Sequence, residues 1–296
     1  MKHLFIVNPV AGKGKAIKIV PHINSLMDKL SLSYDIEVTE APKHATEIAR
    51  KYIQANENLR IYAVGGDGTL NEVLQSVAGS NAAIGNIPTG TGNDFLKNFS
   101  KTSDPLKCLP EIIQAQPEPV DLCKMNDLYY INIASAGFDA DVVANTQYVK
   151  RLPLFKGKVA YIGGILLSLI KLKNYTATFY IDNEKVHMPN VLLSAFANGK
   201  YYGGGMEAVP SAVTDDGFLD ICLVEGMGRL KIFRFLPKFL NGNHIQMKEV
   251  TIKRCRSFRM VSPSPVHVNA DGELFKLCEI NVELTEKGVN FIKPCS

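Results

Sequence analysis

The chain has 296 residues, of which 46% are hydrophobic and 21% are charged, and its formal net charge is +4. This composition is typical of a globular protein with a buried core, and it excludes a disordered chain, a collagen-like chain and a disulfide-stapled scaffold. The length fits one large domain or two medium ones.

The first half of the sequence alternates between short apolar runs, glycine-rich loops and helical stretches. Strands are predicted at 4–7, 36–39, 61–64 and 83–87, and helices at 15–30, 42–55, 69–78 and from Asn93 onward. This succession predicts parallel βαβ units and therefore a doubly wound α/β sheet. The loops that follow such strands meet at one edge of the sheet, where ligands bind.

After about residue 121 the pattern changes to short β-rich runs separated by turn signals. Strands are predicted at 129–134, 176–181, 191–196, 219–224, 250–252, 258–261, 266–269 and 280–284. Hairpin turns are expected at 182–183 and 271–272. This half is predicted to be an antiparallel sandwich or barrel, of which the sandwich is preferred, with helical segments near 154–171 and 229–241, which divides the chain into domains 1–125 and 126–296.

Three loops of the first half carry residue types that bind phosphate. They read NPVAGKGK at 8–15, GGDGT at 65–69 and PTGTGND at 88–94. Glycine backbone N–H groups and the following helix can hold a phosphate, but the carboxylate of Asp67 then needs a cation between them. The alternative for 65–69 is a tight turn in which Thr69 and Glu72 form a capping box.

These loops also carry a resemblance to a known family. Residues 8–14, 65–72 (GGDGTLNE), 88–95 (PTGTGNDF) and 269–273 (NADGE) resemble the diacylglycerol kinase catalytic-domain family. The likeness continues, in order, through AGFDA at 136–140, GGGM at 203–206 and DDGFLD at 215–220, so it spans nearly the whole chain. The GGDGT element alone is shared with NAD kinases and, loosely, with phosphofructokinases.

The resemblance implies a phosphofructokinase-like and NAD-kinase-like α/β domain followed by a β-rich domain, with the last residues packing back on the first. It implies that ATP contacts Asn8, Thr39, Gly65, Gly66, Asp67, Gly68, Thr69, Leu70, Asn71 and Thr91. It also implies that Asp67, Asp94 and Asp121 organise a catalytic Mg²⁺ through water. A second, structural Mg²⁺ is expected on Val213, Asp216 and Phe218, with Asp215 as an alternative to Asp216.

Asp271 is the general base that the resemblance implies, with Glu273 in support. Without the resemblance, residues 271–272 are simply a hairpin turn. The implied activity is a Mg-ATP-dependent lipid kinase that converts diacylglycerol to phosphatidic acid. An NAD kinase and a non-catalytic nucleotide- or lipid-binding protein remain alternatives, the acceptor lipid stays open, and a homodimer is expected by family analogy.

The net charge of +4 hides an uneven distribution. Residues 142–181 hold six basic and no acidic residues, and residues 226–270 hold nine basic residues and one acidic residue, so these segments carry +14 and the remainder −10. Anionic lipid attracts each nearby Lys or Arg by about 1 kcal/mol, which predicts a cytoplasmic protein held peripherally at the inner face of a membrane. The alternative is a solvated basic face, and nucleic acid is not expected because the remainder is acidic.

Overall fold

The computed structural model describes residues 1–151 and 158–294. The start of the helical segment predicted near 154, and Lys156 of the basic segment, lie outside the described residues. The strands are β1 (Lys2–Val7), β2 (Tyr34–Val38), β3 (Leu59–Gly65), β4 (Ala83–Pro88), β5 (Pro117–Met125), β6 (Leu128–Tyr130), β7 (Ile133–Gly137), β8 (Tyr175–Ile181), β9 (Glu184–Ala197), β10 (Tyr201–Tyr202), β11 (Met206–Glu207), β12 (Leu219–Glu225), β13 (Val250–Cys255), β14 (Ser257–Ala270) and β15 (Glu273–Ile292). The α-helices are α1 (Lys15–Lys29), α2 (His44–Ala55), α3 (Asp67–Val77), α4 (Pro105–Gln114), α5 (Phe138–Val149), α6 (Lys158–Ile170) and α7 (Arg229–Leu240).

The first half is the predicted doubly wound unit. Strands β2, β1, β3 and β4 lie side by side and are parallel, with α1 and α4 packed on one face and α2 and α3 on the other. Because both faces are covered, β3 is buried along its whole length and is apolar at nearly every position.

The second half is antiparallel and β-rich, as expected. Its strands run in the order β13, β12, β9, β7, β14 and β15, and β8 pairs with both β9 and β14. These strands enclose one apolar core, while α5, α6 and α7 cover the other face of the sheet. The hairpin turns predicted at 182–183 and 271–272 are both present, with positive φ at Asp182 and Asp271.

One continuous sheet joins the two halves. The end of β15 pairs with β4 in parallel at residues 290–292, so the last strand of the chain extends the first sheet. Residues 282–292 of β15 also pair with nearly the whole of β5. The cleft between the halves is therefore bridged by main-chain hydrogen bonds.

One predicted helix differs in the structure, and one helix was not predicted. The helix expected from Asn93 is only a short 3₁₀ turn at Phe95–Asn98, because Asn93 itself adopts a positive φ of 50°, and α4 begins later at Pro105. Helix α5 was not predicted. It is buried on several sides, so its sequence lacks the polar and apolar faces by which a surface helix is detected.

Candidate active site

The three glycine-rich loops pack against one another at the edge of the first sheet. A Cβ atom on Gly12, which has a φ of +57°, would lie 1.9 Å from the carbonyl oxygen of Thr89. A Cβ on Gly90 would lie 2.4 Å from the Cα of Gly66. Only glycine permits these approaches, so the glycines bring the loops after β1, β3 and β4 onto one surface.

The start of α3 faces this surface. The helix begins at Asp67, and the backbone N–H groups of its first residues, including Gly68, have no partner within the helix. Free N–H groups and the positive end of the helix dipole form a site for an anion such as a phosphate. The side chain of Asn8 donates a hydrogen bond of 3.1 Å to Thr69 Oγ1, and Thr39 is buried beside the end of β1, where its N–H donates to Val7.

The capping box that the sequence suggests for Thr69 and Glu72 does not form. Gly66 is the N-cap residue, without a side-chain hydrogen bond, and Thr69 lies inside the first turn. The hydroxyl of Thr69 accepts from Asn8 instead, so it fixes one loop to the next.

Two carboxylates lie side by side beneath the loops. The backbone N–H of Asp94 donates to Asp67 Oδ1 at 2.6 Å, and Asp94 accepts from Lys97 Nζ at 2.6 Å and from Gly204 N at 2.8 Å. Burial, and then the neighbouring charge of Asp94, raise the pKa of Asp67 to about 6. Lys97 and Gly204 were not predicted, because only the tertiary fold brings them to Asp94.

The space between these carboxylates fits a magnesium ion. A Cβ atom on Gly92 would lie 2.5 Å from Asp67 Oδ2 and 3.3 Å from Asp94 Oδ2, so the absence of a side chain there leaves a gap between the two oxygens. Mg²⁺ is commonly held by one or two carboxylates together with water and substrate phosphates. Across residues 1–151 and 158–294, no group of three or more His, Cys, Asp or Glu side chains is placed so that it could hold a metal ion by itself.

The structure does not bring Asp121 into this group, which corrects the predicted set of Asp67, Asp94 and Asp121. Asp121 is fully buried on β5, where its carboxylate accepts from the backbone N–H groups of Gly217 at 2.7 Å and Lys287 at 2.8 Å. Asp121 therefore anchors the loop at 213–218 to the bulged part of β15.

The 213–218 loop carries the residues of the predicted structural metal site, Val213, Asp216 and Phe218. One carboxylate oxygen of Asp216 accepts from Phe218 N at 3.1 Å, and the other is paired with the guanidinium of Arg254. The same guanidinium lies 3.6 Å from the buried carboxylate of Asp220. Asp215, the alternative ligand, pairs with Lys293. Asp216 and Asp215 are thus already paired with basic side chains, as Asp94 is with Lys97, and the second magnesium site stays a prediction.

The replacement of Arg254 by methionine is expected to destabilise the protein by about 1–2 kcal/mol, because Asp220 stays buried and loses its cation. The matched control is Arg256→Met, since Arg256 also lies over the Phe218 ring, at 5.3 Å, but pairs with neither carboxylate. The unfolding midpoints of the wild type and of both variants are measured by thermal unfolding without nucleotide, once with EDTA and once without it. EDTA is expected to leave the wild-type midpoint unchanged. A large loss of stability in EDTA, with Arg254→Met no worse than the control, would show that a metal holds the loop.

Asp271 is held in a fixed orientation by backbone donors. Its Oδ2 accepts from Ile131 N at 2.8 Å and Asn132 N at 3.2 Å, and its Oδ1 accepts from Ile133 N at 3.0 Å. Burial raises the pKa of Asp271 above its usual value, and these N–H groups oppose that rise. Asp271 contributes to the electrostatic environment of Asp67, so the two carboxyls belong to one acidic cluster.

Glu273, expected to support Asp271, is exposed at the start of β15 and does not line the cavity described next. The support comes instead from the backbone of residues 131–133. Backbone donors leave no mark in a sequence, which is why they were not found.

A cavity of about 510 Å³ opens from the acidic cluster. One end is lined by Gly66, Asp67, Gly68, Leu70, Thr91, Asp94 and Asp271. The remainder is mainly apolar and is formed by side chains of α5, α6 and α7, among them Val142, Tyr161, Ile162, Ile165, Phe235, Leu236, Phe239 and Leu240. Asp139 also lines it, and burial raises the pKa of that carboxyl to about 6. The predicted ATP residues Asn8, Thr39, Gly65, Thr69 and Asn71 lie outside this cavity.

The site therefore has two unlike sides that meet at three carboxylates. On one side are glycine loops and a helix N-terminus that suit phosphate, and on the other is an apolar cavity. Such an arrangement can bring a phosphate donor and an apolar acceptor molecule to the same carboxylates.

Comparison with known proteins gives matches over the two halves of the chain. The family model described as the diacylglycerol kinase catalytic domain matches residues 2–125, and the model described as the YegS C-terminal NAD kinase beta sandwich-like domain matches residues 132–291.

Whole-length relatives carry related names. A protein named diacylglycerol kinase from Mycobacterium tuberculosis is 26% identical, with 95% of this chain and 90% of that protein covered. A protein of the same name from Staphylococcus carnosus is 29% identical, with 90% of this chain and 87% of that protein covered. A solved structure of a diacylglycerol kinase from Bacillus anthracis str. Sterne has the same fold, with a TM-score of 0.75 at 21% identity over 99% of this chain and 96% of that one.

Proposed function

The chain belongs to the diacylglycerol kinase catalytic-domain family, and from this membership we propose that it is a Mg-ATP-dependent lipid kinase. Its acceptor is the hydroxyl of a membrane lipid alcohol, and diacylglycerol is the first candidate for that lipid. The observation that carries the proposal is the apolar cavity that ends at Asp67, Asp94 and Asp271. A lipid alcohol has an apolar body and one reactive polar end, which matches this cavity.

The same cavity argues against the alternative of an NAD kinase. A dinucleotide carries a pyrophosphate, two riboses and two bases, which require polar partners along their length. The cavity offers polar groups at one end, whereas α6 and α7 contribute apolar side chains such as Ile165 and Phe239. The presence of all three carboxylates in one cluster argues against a decayed, non-catalytic site.

We assign the phosphate donor to the side of the acidic cluster that carries the glycine-rich loops, opposite the apolar cavity. The N-terminus of α3 and the loops at 8–15 and 89–92 receive the phosphates of ATP, since their glycine backbones leave N–H groups free. Asp67 and Asp94 would hold a magnesium ion, which would supply neutralisation of the charge on the transferring phosphoryl group.

Asp271 accepts the proton in the transfer step. The lipid hydroxyl oxygen forms a bond to the γ-phosphorus as the bond from that phosphorus to the β-phosphate oxygen breaks, and ADP leaves with that electron pair. The hydroxyl proton moves to the Asp271 carboxylate. The three backbone N–H groups at 131–133 keep the carboxylate aligned, and its raised pKa makes it a stronger base than an exposed aspartate.

The test of this function is transfer of label from ATP. The protein is incubated with labelled ATP, Mg²⁺ and mixed micelles of diacylglycerol, and separately with NAD. Label in phosphatidic acid is the expected result. Label in NADP alone would overturn the proposal, and no transfer to any lipid would favour the binding-protein alternative.

A membrane-docking face is part of the proposal, because the acceptor is dissolved in a bilayer. No described helix is long and apolar enough to span a membrane. Helices α6 and α7 instead present exposed apolar side chains, namely Val159, Ile162, Leu166, Ile170, Leu230, Phe233 and Leu240. Exposed basic residues of the predicted segments surround them, namely Arg151, Lys171, Lys173, Arg229, Arg234 and Lys238.

This face is continuous with the cavity. Arg229 at the start of α7 donates to the carbonyl of Leu169 at the end of α6 at 2.9 Å, so the end of α6 is joined to the start of α7. Ile162 and Leu240 are both exposed and also line the cavity. A lipid can therefore pass from a bilayer on this face to the acidic end without crossing a polar surface.

The double substitution Leu230→Ser and Phe233→Ser is expected to weaken binding to anionic vesicles by at least about tenfold, because these side chains are 85% and 55% exposed on the docking face. Co-sedimentation with phosphatidylglycerol vesicles measures the binding. Leu106→Ser is the control, since Leu106 is an exposed apolar residue of α4 in the other half. Equal binding by the double variant and the control would place the membrane contact elsewhere.

A further inference from the structure

Asp139 is a buried carboxylate to which the chain gives no cation. It lies in the first turn of α5 and is 9% exposed. Neither of its carboxylate oxygens has a hydrogen-bond partner among residues 1–151 and 158–294, so no described lysine or arginine is bonded to it. Burial of a carboxylate is costly unless the charge is paired or bound to a metal ion, so Asp139 calls for a partner that these residues do not supply.

Three more oxygen atoms without partners surround Asp139. The hydroxyls of Ser135 on β7 and Tyr202 on β10 are near enough to lower the pKa of the Asp139 carboxyl, yet neither has a hydrogen-bond partner in the described part of the chain. Asn269 on β14 is directly opposite Ser135 in the antiparallel register, and its amide oxygen is likewise without a described partner. Directly opposed residues have their side chains about 5 Å apart on one face of a sheet. We call these four side chains, each at most 9% exposed, the α5 oxygen cluster.

The surroundings of Asp139 compensate only part of its charge. The hydroxyls of Ser135 and Tyr202 and the N–H groups at the start of α5 lower the pKa of this carboxyl, but burial outweighs them and raises it to about 6. Above that pH the carboxylate is ionised and still lacks a positive charge beside it. A hydrogen-bonded water molecule would occupy the oxygens but would leave this charge unbalanced.

The atoms of the α5 oxygen cluster indicate the kind of ligand that fits. All of the unpartnered atoms are oxygens, which are the ligands of hard cations. One carboxylate among neutral oxygens balances one positive charge, which favours a monovalent cation over Ca²⁺ or Mg²⁺. The oxygens are closed off from bulk water, which favours the smaller Na⁺ over K⁺.

We infer that the α5 oxygen cluster holds a sodium ion between α5 and the sheet. The ion joins the first turn of α5 to β7, β10 and β14, and it fixes the part of the cavity wall that Asp139 and Tyr202 form. The cluster shares no residue with the acidic cluster of Asp67, Asp94 and Asp271. The inference does not depend on the proposed kinase function, and it can be tested without lipid or ATP.

The test compares stability in salts that differ only in the cation. Thermal unfolding at pH 8, without Mg²⁺ or nucleotide, is measured in equal concentrations of sodium, potassium and N-methylglucamine chloride. We expect sodium to raise the wild-type midpoint by about 3 °C or more over N-methylglucamine, as a roughly tenfold excess over Kd implies, and potassium to raise it less. Asp139→Asn keeps the size of the side chain and should abolish the effect of sodium.

The sign of the substitution distinguishes a cation site from a merely buried charge. Asp139→Asn should melt above the wild type in N-methylglucamine, because it removes an unbalanced charge, and below the wild type in sodium. Asp127→Asn, the same change at an exposed position, should keep the wild-type response. An Asp139→Asn variant that melts above the wild type in all three salts would overturn the inference, as would equal wild-type midpoints in the three salts.

Sodium NMR observes the ion directly. The wild type should broaden the sodium resonance, and Asp139→Asn should broaden it less. Asp67→Asn should retain the broadening, because Asp67 belongs to the acidic cluster. Broadening that is lost in Asp67→Asn but kept in Asp139→Asn would place the ion at the acidic cluster and would overturn the inference.

Discussion

Asp271→Asn is expected to lower kcat for diacylglycerol by about 10²–10⁴-fold, since this is the range that a positioned general base contributes. The substitution retains the size of the side chain but removes the proton acceptor. It leaves the loops after β1, β3 and β4 untouched, so the affinity for ATP should stay within about twofold. Steady-state kinetics in mixed micelles and ATP-binding calorimetry measure the two quantities.

The pH profile adds a second readout for Asp271. Burial raises the pKa of its carboxyl, so the ionised base is lost as pH falls through that raised value and activity should decline on the acid side. The residual activity of Asp271→Asn should lose the part of this decline that Asp271 causes, while the part caused by protonation of Asp67, whose pKa is raised to about 6, remains. Asp127→Asn, an exposed change in the turn before β6, is the control and should behave as the wild type. Retention of most of the activity by Asp271→Asn would remove Asp271 from the reaction.

Asp67→Asn is expected to abolish activity and yet stabilise the protein at neutral and alkaline pH. Asp67 is half-buried beside Asp94, and its pKa is raised to about 6, whereas an unfolded aspartate titrates near 3.9. The folded state therefore binds this proton more tightly than the unfolded state. Stability falls as pH rises between these two values, and the cost is fully present above them.

The substitution removes that cost without removing a bond. An asparagine oxygen still accepts the 2.6 Å hydrogen bond from Asp94 N. The free energy of unfolding at pH 8 should rise by about 1–3 kcal/mol, with little change at pH 4. Urea unfolding at both pH values, without Mg²⁺ or ATP, measures this, and the activity assay measures the loss of the ligand for magnesium. A destabilised Asp67→Asn at pH 8 would contradict the account of the acidic cluster.

The alternation of elements was predictable because it depends on local patterns. Apolar runs such as 61–64 and glycine turns such as 65–68 repeat at the spacing of βαβ units, so the parallel sheet and the meeting of three loops at one edge followed from the sequence. The antiparallel half was predictable for the same reason. Both hairpin turns, at 182–183 and 271–272, have sequence signals that arise from the backbone conformation they require.

Which side chains meet across the fold was not predictable. Arg254 on β13 neutralises Asp216 because strand pairing places Arg254 directly opposite Asp220, and Asp121 turns toward residue 217 rather than toward Asp67. The resemblance to the family could not reveal either contact, because it concerns the identity of each residue and not the neighbours that the fold gives it.

The sequence by itself determined the fold class, the glycine loops and the identity of the acidic residues, since these depend on periodicity and residue type. Only the tertiary structure decided where the acidic, basic and apolar side chains lie on the folded protein. It gathered Asp67, Asp94 and Asp271 at one end of an apolar cavity and put the exposed apolar and basic residues of α6 and α7 at the other. The physical reason is that burial and charge pairing depend on contacts between residues far apart in the chain, which no local pattern encodes.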